Sequence, residues 1–408
     1  MPIPDSNARQ TPDTRQLRPR VLLLTTSYPL HHGSVSGLFV ERLAQALATV
    51  TTLHVLTPAD ATDNRPEHSG PVVVTFRYAP RTRQTLAHGA GGIPAALGAS
   101  RASALLVPPF LLAMLAACWR RSRNVDVIHA NWSVCGIVAG IVGRLRGIPV
   151  VVTLRGEDAN RVAKRGSFRA VLQVCAHLCD AVVTVSDAME AALRCNVPTL
   201  AAKLLTIPNG VAPCFLGIPL RQGASGALRL ICVASLIPRK DVATLIRALA
   251  LLPAPYTLTV VGEGNEANTL ATLANRLGLS ERVRWLPFQP PVRIADLLAE
   301  SDALVLPSLA EGRPNVILEA FAAARPVVAC DIDGVRELIG DEARGLLYAP
   351  GDEQQLAARL MRLDSQALRT ALGERGRQFI LDQGLTWERA AERYAALFER
   401  LIDRKRHH

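Results

Sequence analysis

The hydrophobic pattern of this chain alternates short apolar runs with longer stretches that carry both apolar and polar residues. The runs are four to seven residues long and rich in valine, leucine and isoleucine, which is typical of strands buried on both faces of a parallel sheet. We predict strands at residues 21–25, 52–56, 72–78, 125–130, 149–154, 181–186, 204–207, 228–234, 256–261, 283–287, 303–307 and 326–330. Helical stretches separate most of them. This order predicts an α/β fold with two Rossmann-like, doubly wound parallel sheets facing each other across a cleft.

The domain boundary is predicted at residues 213–226, which are rich in glycine, proline and small side chains. We therefore expect a first domain over residues 20–212 and a second over residues 227–385. The amphipathic helix predicted at residues 387–403 is expected to pack back on the first domain. Residues 1–19 are polar and proline-rich without an apolar core, so we expect a disordered tail and not a signal peptide.

The charge of the chain is concentrated in its first half. The 408 residues carry a net charge of +11, of which residues 1–205 hold +10 (22 Lys and Arg against 12 Asp and Glu). A basic half favours anionic substrates or surfaces. Aromatic residues are only 4% and no nucleic-acid module is recognisable, so nucleic acid is not an expected partner.

The cysteines do not form a disulfide or metal pattern. The eight cysteines are scattered without a CxxC spacing, and five of them lie in apolar runs as small core residues: Cys118, Cys175, Cys179, Cys232 and Cys330. We expect no bound metal and a reducing cytoplasmic location.

One apolar stretch, residues 104–118, resembles a membrane segment but is expected to be too short to span a bilayer, and Pro108 and Pro109 interrupt it. It ends in the sequence WRRSR at residues 119–123, an aromatic and cationic flank that suits a lipid interface. The two interpretations left open are peripheral contact with an anionic membrane and a buried helix of the first domain.

The most informative chemical motif is EGRPNVILEA at residues 311–320, which follows the predicted strand 303–307. Glu311 is expected on a loop at the carboxyl end of that strand, and Pro314 is expected as the first helical residue. The amides near Asn315 then open a helix whose N-terminus attracts anions, with Glu319 one turn further in. Two carboxylates around such an N-terminus indicate a polyhydroxylated phosphate ester, although an isolated Glu pair is more often surface charge.

A basic pair lies at a second helix start. Arg239 and Lys240 follow the predicted strand 228–234, where cations are unfavourable unless an anion binds. Only four of the 46 basic residues are lysines, which makes Lys240 more informative. The pair predicts phosphate binding, with a solvated basic turn as the alternative. Gly262 and Gly264 after the next strand form a weak GxG signal.

Polar residues also follow the strands of the first domain. Gly33 and Gly37 lie in the loop after the first strand, His129 lies at the end of the predicted strand 125–130, and Arg155 follows the predicted strand 149–154. Ligands of open α/β sheets bind at the carboxyl ends of strands. Taken alone, His129 is more often a satisfied, partly buried histidine, and for Arg155 the two interpretations are balanced.

These motifs together resemble the family-4 glycosyltransferases of the GT-B fold, whose hallmark is two glutamates separated by seven residues. Glu311 and Glu319 provide that spacing, and the strings VASLIPRKDVATLIRAL, VVGEGNE, VRWLPF, VIHAN, PVVVTLRGED and IPNGV extend the resemblance over nearly the whole chain from about residue 20. The resemblance implies a retaining, metal-independent hexosyltransferase that uses a UDP- or GDP-sugar as co-substrate, without another cofactor.

The resemblance also implies roles for residues. Glu319 would bind the ribose hydroxyls, Glu311 would face the donor sugar, and Arg239 and Lys240 would neutralise the diphosphate. The other implied donor-side residues are Ser235, Gly262, Gly264, Phe288, Arg313, Pro314, Asn315, Val316 and Ile317. The implied acceptor and sugar side comprises Gly33, Gly37, His129, Arg155, Asp158 and Asn209.

The chain departs from the family pattern at four positions. Ser235 stands where an Arg is frequent, so part of the usual phosphate charge is either missing or supplied by Arg313 or Arg155. Arg155 itself stands where a His is frequent, which favours a cation near the donor sugar or an anionic acceptor. Ala212 replaces an Asp, and Ala324 replaces a Gly.

The leading hypothesis is sugar transfer to a lipid-linked or polysaccharide acceptor in envelope or exopolysaccharide biosynthesis, at the inner face of the cytoplasmic membrane. One alternative is a nucleotide-sugar epimerase or sugar-phosphate synthase on the same fold. Another is a non-catalytic sugar-nucleotide-binding partner of an envelope assembly complex. A dinucleotide-binding enzyme is disfavoured, because the first loop lacks a GxGxxG sequence.

Overall fold

The structure is a computed structural model that describes residues 18–31, 37–61, 70–88, 92–155, 166–221 and 227–407. Two all-parallel sheets are present, which confirms the predicted α/β architecture. Residues 1–17, expected to be disordered, and part of the predicted boundary segment lie outside the described residues.

The first sheet has seven strands in the order β3-β2-β1-β4-β5-β6-β7. Its strands are β1 (Arg20–Leu24), β2 (Thr52–Pro58), β3 (Val72–Phe76), β4 (Val127–Asn131), β5 (Val150–Thr153), β6 (Ala181–Thr184) and β7 (Leu204–Thr206). The helices of this half are α1 (Leu38–Val50), α2 (Gly92–Ala99), α3 (Val107–Arg121), α4 (Ser133–Arg146), α5 (Gly166–Leu178) and α6 (Asp187–Asn196). The short helix α7 (Pro213–Leu216) follows, and its Phe215 lies in the core of the second domain. The central strands are fully buried, as expected when helices cover both faces of a parallel sheet.

The second sheet has six strands in the order β10-β9-β8-β11-β12-β13. Its strands are β8 (Arg229–Val233), β9 (Thr257–Val261), β10 (Val283–Leu286), β11 (Ala303–Leu306), β12 (Val327–Cys330) and β13 (Gly345–Tyr348). The helices are α8 (Val242–Leu251), α9 (Ala267–Arg276), α10 (Pro291–Glu300), α11 (Asn315–Ala322), α12 (Asp333–Ile339), α13 (Glu353–Arg362), α14 (Gln366–Asp382) and α15 (Trp387–Arg406). Strand β13 and helix α12 have no counterpart in the sequence-based prediction.

The last helix, α15, returns to the first sheet and packs against α1. Trp387, Tyr394 and Phe398 lie on its buried face, in one core cluster with Val40 and Leu43 of α1. Their spacing follows the helical period, so a single apolar stripe attaches the end of the chain to the first domain.

Helix α3 differs from its predicted description. It belongs to a continuous helical segment, Ser103–Arg121, of 19 residues with mean hydropathy 1.6. By length and composition alone this segment is sufficient to cross a membrane, so the expectation that it is too short was wrong. Only 22% of the apolar window is buried in the protein, so the helix is buried along one face, with Phe110 and Met114 in the core, and not throughout.

The five cysteines predicted to be core residues are all buried, and all eight cysteines are free thiols. Burial raises the pKa of Cys118 to about 12, with a smaller opposing effect of Arg146, which is expected for a thiol with an inert core role.

Candidate active site

The Glu311 segment connects a buried strand to a helix, as predicted. β11 ends at Leu306, Glu311 lies in the following loop, and α11 begins at Asn315. Pro314 is the N-cap of the helix and not its first helical residue, because its ψ of 113° is extended. Glu319 lies within α11 and is only 7% exposed, so it is not surface charge.

A lysine and a carboxylate meet at the carboxyl edge of this sheet. Lys240 ends a 3-10 turn, Pro238–Lys240, before α8, and its Nζ donates a hydrogen bond to Oε1 of Glu311. Their side chains are 16% and 11% exposed. The N–H of Leu309 also donates to the carbonyl of Arg239 over 2.9 Å. The β8 and β11 loops are therefore joined, and the predicted cation and carboxylate form one group.

The two glycines of the GxG sequence allow the neighbouring loop to lie against the β8 loop. Gly262 has φ +146°, and a Cβ there would lie 1.9 Å from the carbonyl oxygen of Ala234. A Cβ at Gly264 would lie 2.1 Å from the carbonyl oxygen of Leu236. These glycines thus shape the backbone on both sides of Ser235, which is half-buried.

Two further predicted donor-side segments are the loop after β10 and the start of α11. The N–H of Phe288 donates to Oε1 of Glu263 over 3.3 Å, which ties the β10 loop to the GxG turn. At the start of α11, the amide of Ile317 is not open to a ligand as predicted. Its N–H donates to the carbonyl of Pro314. The amides of Asn315 and Val316 are the first of the helix and have no intrahelical acceptor.

An arginine of the first domain reaches Glu319 across the cleft. Nη1 of Arg42, on α1, donates to Oε1 of Glu319 over 2.6 Å. Burial raises the pKa of Glu319, and the Arg42 guanidinium opposes that shift. The α1 helix begins after Gly37, whose φ is +81° and where a Cβ would lie 2.3 Å from the carbonyl oxygen of Ser27. Arg42 could not be predicted from the sequence, since nothing in its local pattern distinguishes it from other helical arginines.

A second connection across the cleft runs through amide side chains. The guanidinium of Arg155 donates to Oδ1 of Asn209 over 2.8 Å and to Oδ1 of Asn131 over 2.9 Å. Nδ2 of Asn209 donates in turn to Oδ1 of Asn315 over 2.9 Å. Arg155 is only 6% exposed and lies 4.7 Å from the centre of the Phe39 ring. A fixed cation thus lies at the carboxyl edge of the first sheet, linked to the start of α11.

Arg313 does not join the lysine and glutamate group. Its Nη1 donates to Oε1 of Glu337, on α12, over 2.5 Å. The second oxygen of Glu337 accepts the N–H of Ala188 from the first domain, over 3.1 Å. Burial lowers the pKa of Arg313, and Glu337 opposes that shift. The Arg313 guanidinium, predicted as a source of positive charge for phosphate, is therefore paired with Glu337.

His129 is not at the surface of the cleft, which corrects its assignment to the acceptor side. It is fully buried, and its Nε2 bonds to Oγ1 of Thr153, which bonds to the hydroxyl of Tyr394, each over 2.8 Å. The Phe398 ring of α15 lies 5.6 Å from the imidazole. Burial, with a further effect of Arg155, lowers the pKa of His129 to about 3. The neutral imidazole therefore supports the docking of α15.

Two predicted residues, Gly33 and Asp158, lie outside the described residues, so their positions are not assigned. Within the described ranges, no group of three or more His, Cys, Asp or Glu side chains could hold a metal ion.

Two family models match the two halves of the chain. The model described as Glycosyltransferase Family 4 matches residues 36–213, and the model described as Glycosyl transferases group 1 matches residues 223–379. The chain belongs to glycosyltransferase family 4. The two matches coincide with the two sheets, and the second contains the complete Lys240, Glu311 and Glu319 set.

Relatives of this family-4 glycosyltransferase differ in how much they share with it. The lipopolysaccharide core biosynthesis glycosyltransferase LpsE of Rhizobium meliloti is 37% identical over 148 residues, which span 36% of this chain and 43% of LpsE. Among solved structures, sucrose-phosphate synthase from Thermosynechococcus elongatus has a TM-score of 0.74, 23% identity, and coverage of 94% of this chain and 99% of that one. HepE of Anabaena in complex with UDP-glucose has a TM-score of 0.69, 21% identity, and coverage of 94% and 100%. The two structural likenesses establish the GT-B fold.

Proposed function

We propose that this glycosyltransferase is a retaining, metal-independent enzyme that moves a hexose from a UDP- or GDP-sugar to a lipid-linked or polysaccharide acceptor. The observation that carries the proposal is the joining of Lys240 and Glu311 beside the start of α11, with Glu319 buried in the same helix. A cation, free helical amides and two carboxylates fit a nucleoside diphosphate attached to a polyhydroxylated sugar.

In this proposal, the leaving group is a nucleoside diphosphate on which negative charge grows as the sugar C1–O bond breaks. Lys240, Arg239 and the first amides of α11 stabilise that charge without a metal ion. Glu319 accepts hydrogen bonds from the ribose hydroxyls, and Glu311 orients the donor sugar. The acceptor oxygen forms the new bond to C1 on the same face, and its proton passes to an oxygen of the leaving phosphate.

Similar proteins support the choice of substrates. The HepE structures contain UDP, UDP with glucose, or UDP-glucose, which supports a nucleotide sugar as donor. The name of LpsE supports an acceptor that is part of an envelope glycan. The basic first half of the chain is suited to an acceptor that carries phosphate groups.

The test is a panel of UDP- and GDP-sugars with the purified protein, read first by thermal shift. A ligand present at about 100 times its dissociation constant adds about 2.7 kcal/mol to the free energy of unfolding, which is readily measured. Glu319→Gln should abolish the shift, whereas Glu374→Gln, an exposed carboxylate on α14, should not change it. NMR of the transferred sugar should show the anomeric configuration of the donor. Absence of any shift, or an inverted product, would refute the proposal.

A sugar-phosphate acceptor is the second candidate, because Arg155 places a fixed, buried cation at the carboxyl edge of the first sheet. If this candidate is correct, the enzyme should consume a hexose phosphate as acceptor, and Arg155→Gln should raise the KM for that acceptor more than the KM for the donor. Equal use of phosphorylated and unphosphorylated sugars would exclude it.

A further inference from the structure

Helix α3 exposes an apolar face that neither sheet nor active site uses. Leu105, just before the helix, is 79% exposed, Leu112 is 67% exposed and Trp119 is 41% exposed. They are spaced at seven-residue intervals and therefore lie along one side, the outer face of α3, over about 21 Å. Exposed apolar surface of this extent generally marks an interaction site.

The neighbouring helix extends this apolar surface. Helix α4 packs beside α3 and exposes Leu145 to 71% and Ile141 to 37%. The guanidinium of Arg146 lies 3.9 Å from the centre of the Trp119 ring and donates to the Trp119 carbonyl over 2.9 Å. An aromatic residue is thus fixed between an apolar surface and a cation, the arrangement that favours a lipid–water interface.

The opposite face of α3 keeps the helix attached to the protein. Phe110 and Met114 are 1% and 0% exposed in the core of the first domain, where the Phe110 ring lies 5.8 Å from Phe76. A membrane-spanning position would remove these side chains from that core. The helix is therefore suited to lie on a membrane and not to cross it.

Positive charge is concentrated at the C-terminal end of α3. Arg120 and Arg121 are the last two residues of the helix, Arg123 lies just beyond it, and all three are exposed. Arg120 and Arg121 also line a cavity of about 320 Å³ between β3 and α3, together with Arg77. The side chains of Phe76, Val74 and Ala117 form apolar walls of the same cavity. Three guanidinium groups over apolar walls match the phosphate and upper acyl chain of an anionic lipid.

We propose that the outer face of α3 docks peripherally on an anionic lipid bilayer, with a lipid phosphate bound between Arg77, Arg120 and Arg121. This inference goes beyond the proposed function and does not rest on it, because it concerns a surface apart from the nucleotide-sugar residues. Its test uses vesicle binding by the full chain without any sugar donor.

The experiment compares sedimentation of the protein with phosphatidylcholine vesicles and with vesicles that contain about 30% phosphatidylglycerol. The wild-type protein should partition at least about tenfold more strongly onto the anionic vesicles, and added salt should weaken that binding. L105Q/L112Q should lose about tenfold in partition. The matched control L251Q/L381Q changes two leucines of the second domain with similar exposure, 54% and 55%, and should bind like the wild type.

A second pair of variants tests the charge. R120Q/R121Q/R123Q should lose at least about tenfold in partition onto anionic vesicles, since each arginine near such a surface contributes about fivefold. The control R247Q/R276Q/R375Q removes the same charge from exposed sites of the second domain and should have a small effect. Circular dichroism and thermal unfolding establish that every variant is folded.

Three outcomes would overturn the proposal. The first is equal binding to neutral and anionic vesicles, or none to either. The second is resistance of the bound protein to alkaline carbonate extraction, which would indicate a spanning segment. The third is a dimer, detected by analytical ultracentrifugation without vesicles and abolished by L105Q/L112Q, which would show that a second copy covers this face.

Discussion

Replacing Lys240 by methionine removes the terminal cation and keeps most of the unbranched side chain. Loss of one partner from a fully buried ion pair costs about 3–5 kcal/mol. The side chains of Lys240 and Glu311 are 16% and 11% exposed, so solvent reaches the pair in part. We therefore expect Lys240→Met to lower the free energy of unfolding by about 1–2 kcal/mol. In the proposed mechanism the same ammonium stabilises the leaving diphosphate, and its loss should lower kcat by about 10²- to 10³-fold.

The two effects separate in a double-mutant cycle. Glu311→Gln removes the carboxylate that Lys240→Met leaves unpaired, so K240M/E311Q should be more stable than the sum of the single variants predicts, by about 1 kcal/mol. Its kcat should nevertheless stay low, because the cation is still absent. Stability is measured by urea unfolding, and kcat by sugar transfer at saturating donor.

Lys203→Met is the matched control for this cycle. Nζ of Lys203 donates to the carbonyls of Ala176 and Cys179 over 2.8 and 2.7 Å, so its removal should also reduce stability. It has no part in the proposed chemistry, so kcat should not change. Recovery of kcat together with stability in K240M/E311Q would refute the catalytic role and leave Lys240 a structural partner of Glu311.

Three further predictions concern other parts of the protein. Arg42→Gln should raise the pKa of Glu319 further, because the guanidinium that opposes the shift is lost. UDP affinity, measured by calorimetry, should then fall severalfold more between pH 8 and pH 6 than it does in the wild type. An unchanged pH dependence would contradict this. Ala324→Gly should raise the free energy of urea unfolding by about 0.5–1 kcal/mol, because Ala324 has φ +51°; a loss of stability would contradict it. The pKa of His129 is lowered to about 3, so the unfolded state binds one more proton as pH falls below about 6.5, and stability is lost in that range. His129→Gln should therefore reduce the slope of unfolding free energy against pH by about 1.4 kcal/mol per unit between pH 6 and pH 4, and an equal slope would refute it.

Buried parallel strands could be predicted because each is a continuous apolar run bounded by glycine, proline or polar residues. β13 could not, since only Leu346, Leu347 and Tyr348 follow Gly345 before the chain turns polar. Its position is fixed by pairing with β12, where Val327 lies opposite Gly345. A strand whose signal comes from its neighbour is not recognisable from its own residues.

The site shows the same distinction between local and distant information. Lys240 and Glu311 could be predicted, since each has a local signal: a basic pair at a helix start and a carboxylate after a buried strand. His129 was misplaced because the end of a strand normally lies at an open sheet edge. Here that edge is covered by Tyr394, which is hydrogen-bonded to Thr153 although the two residues are 241 positions apart in the chain. The position of α15 therefore decides whether His129 is exposed.

The contact between Arg42 and Glu319 joins residues 277 apart in the chain, and it changes how donor binding should act on the fold. If Glu319 accepts ribose hydroxyls as proposed, the ligand and Arg42 use the same carboxylate. The chain of hydrogen bonds from Arg155 through Asn209 to Asn315 meets the same helix at its start. On that proposal, helix α11 receives both the nucleotide and the first domain, so a donor that weakens the Arg42 contact should also alter how the two domains are held together.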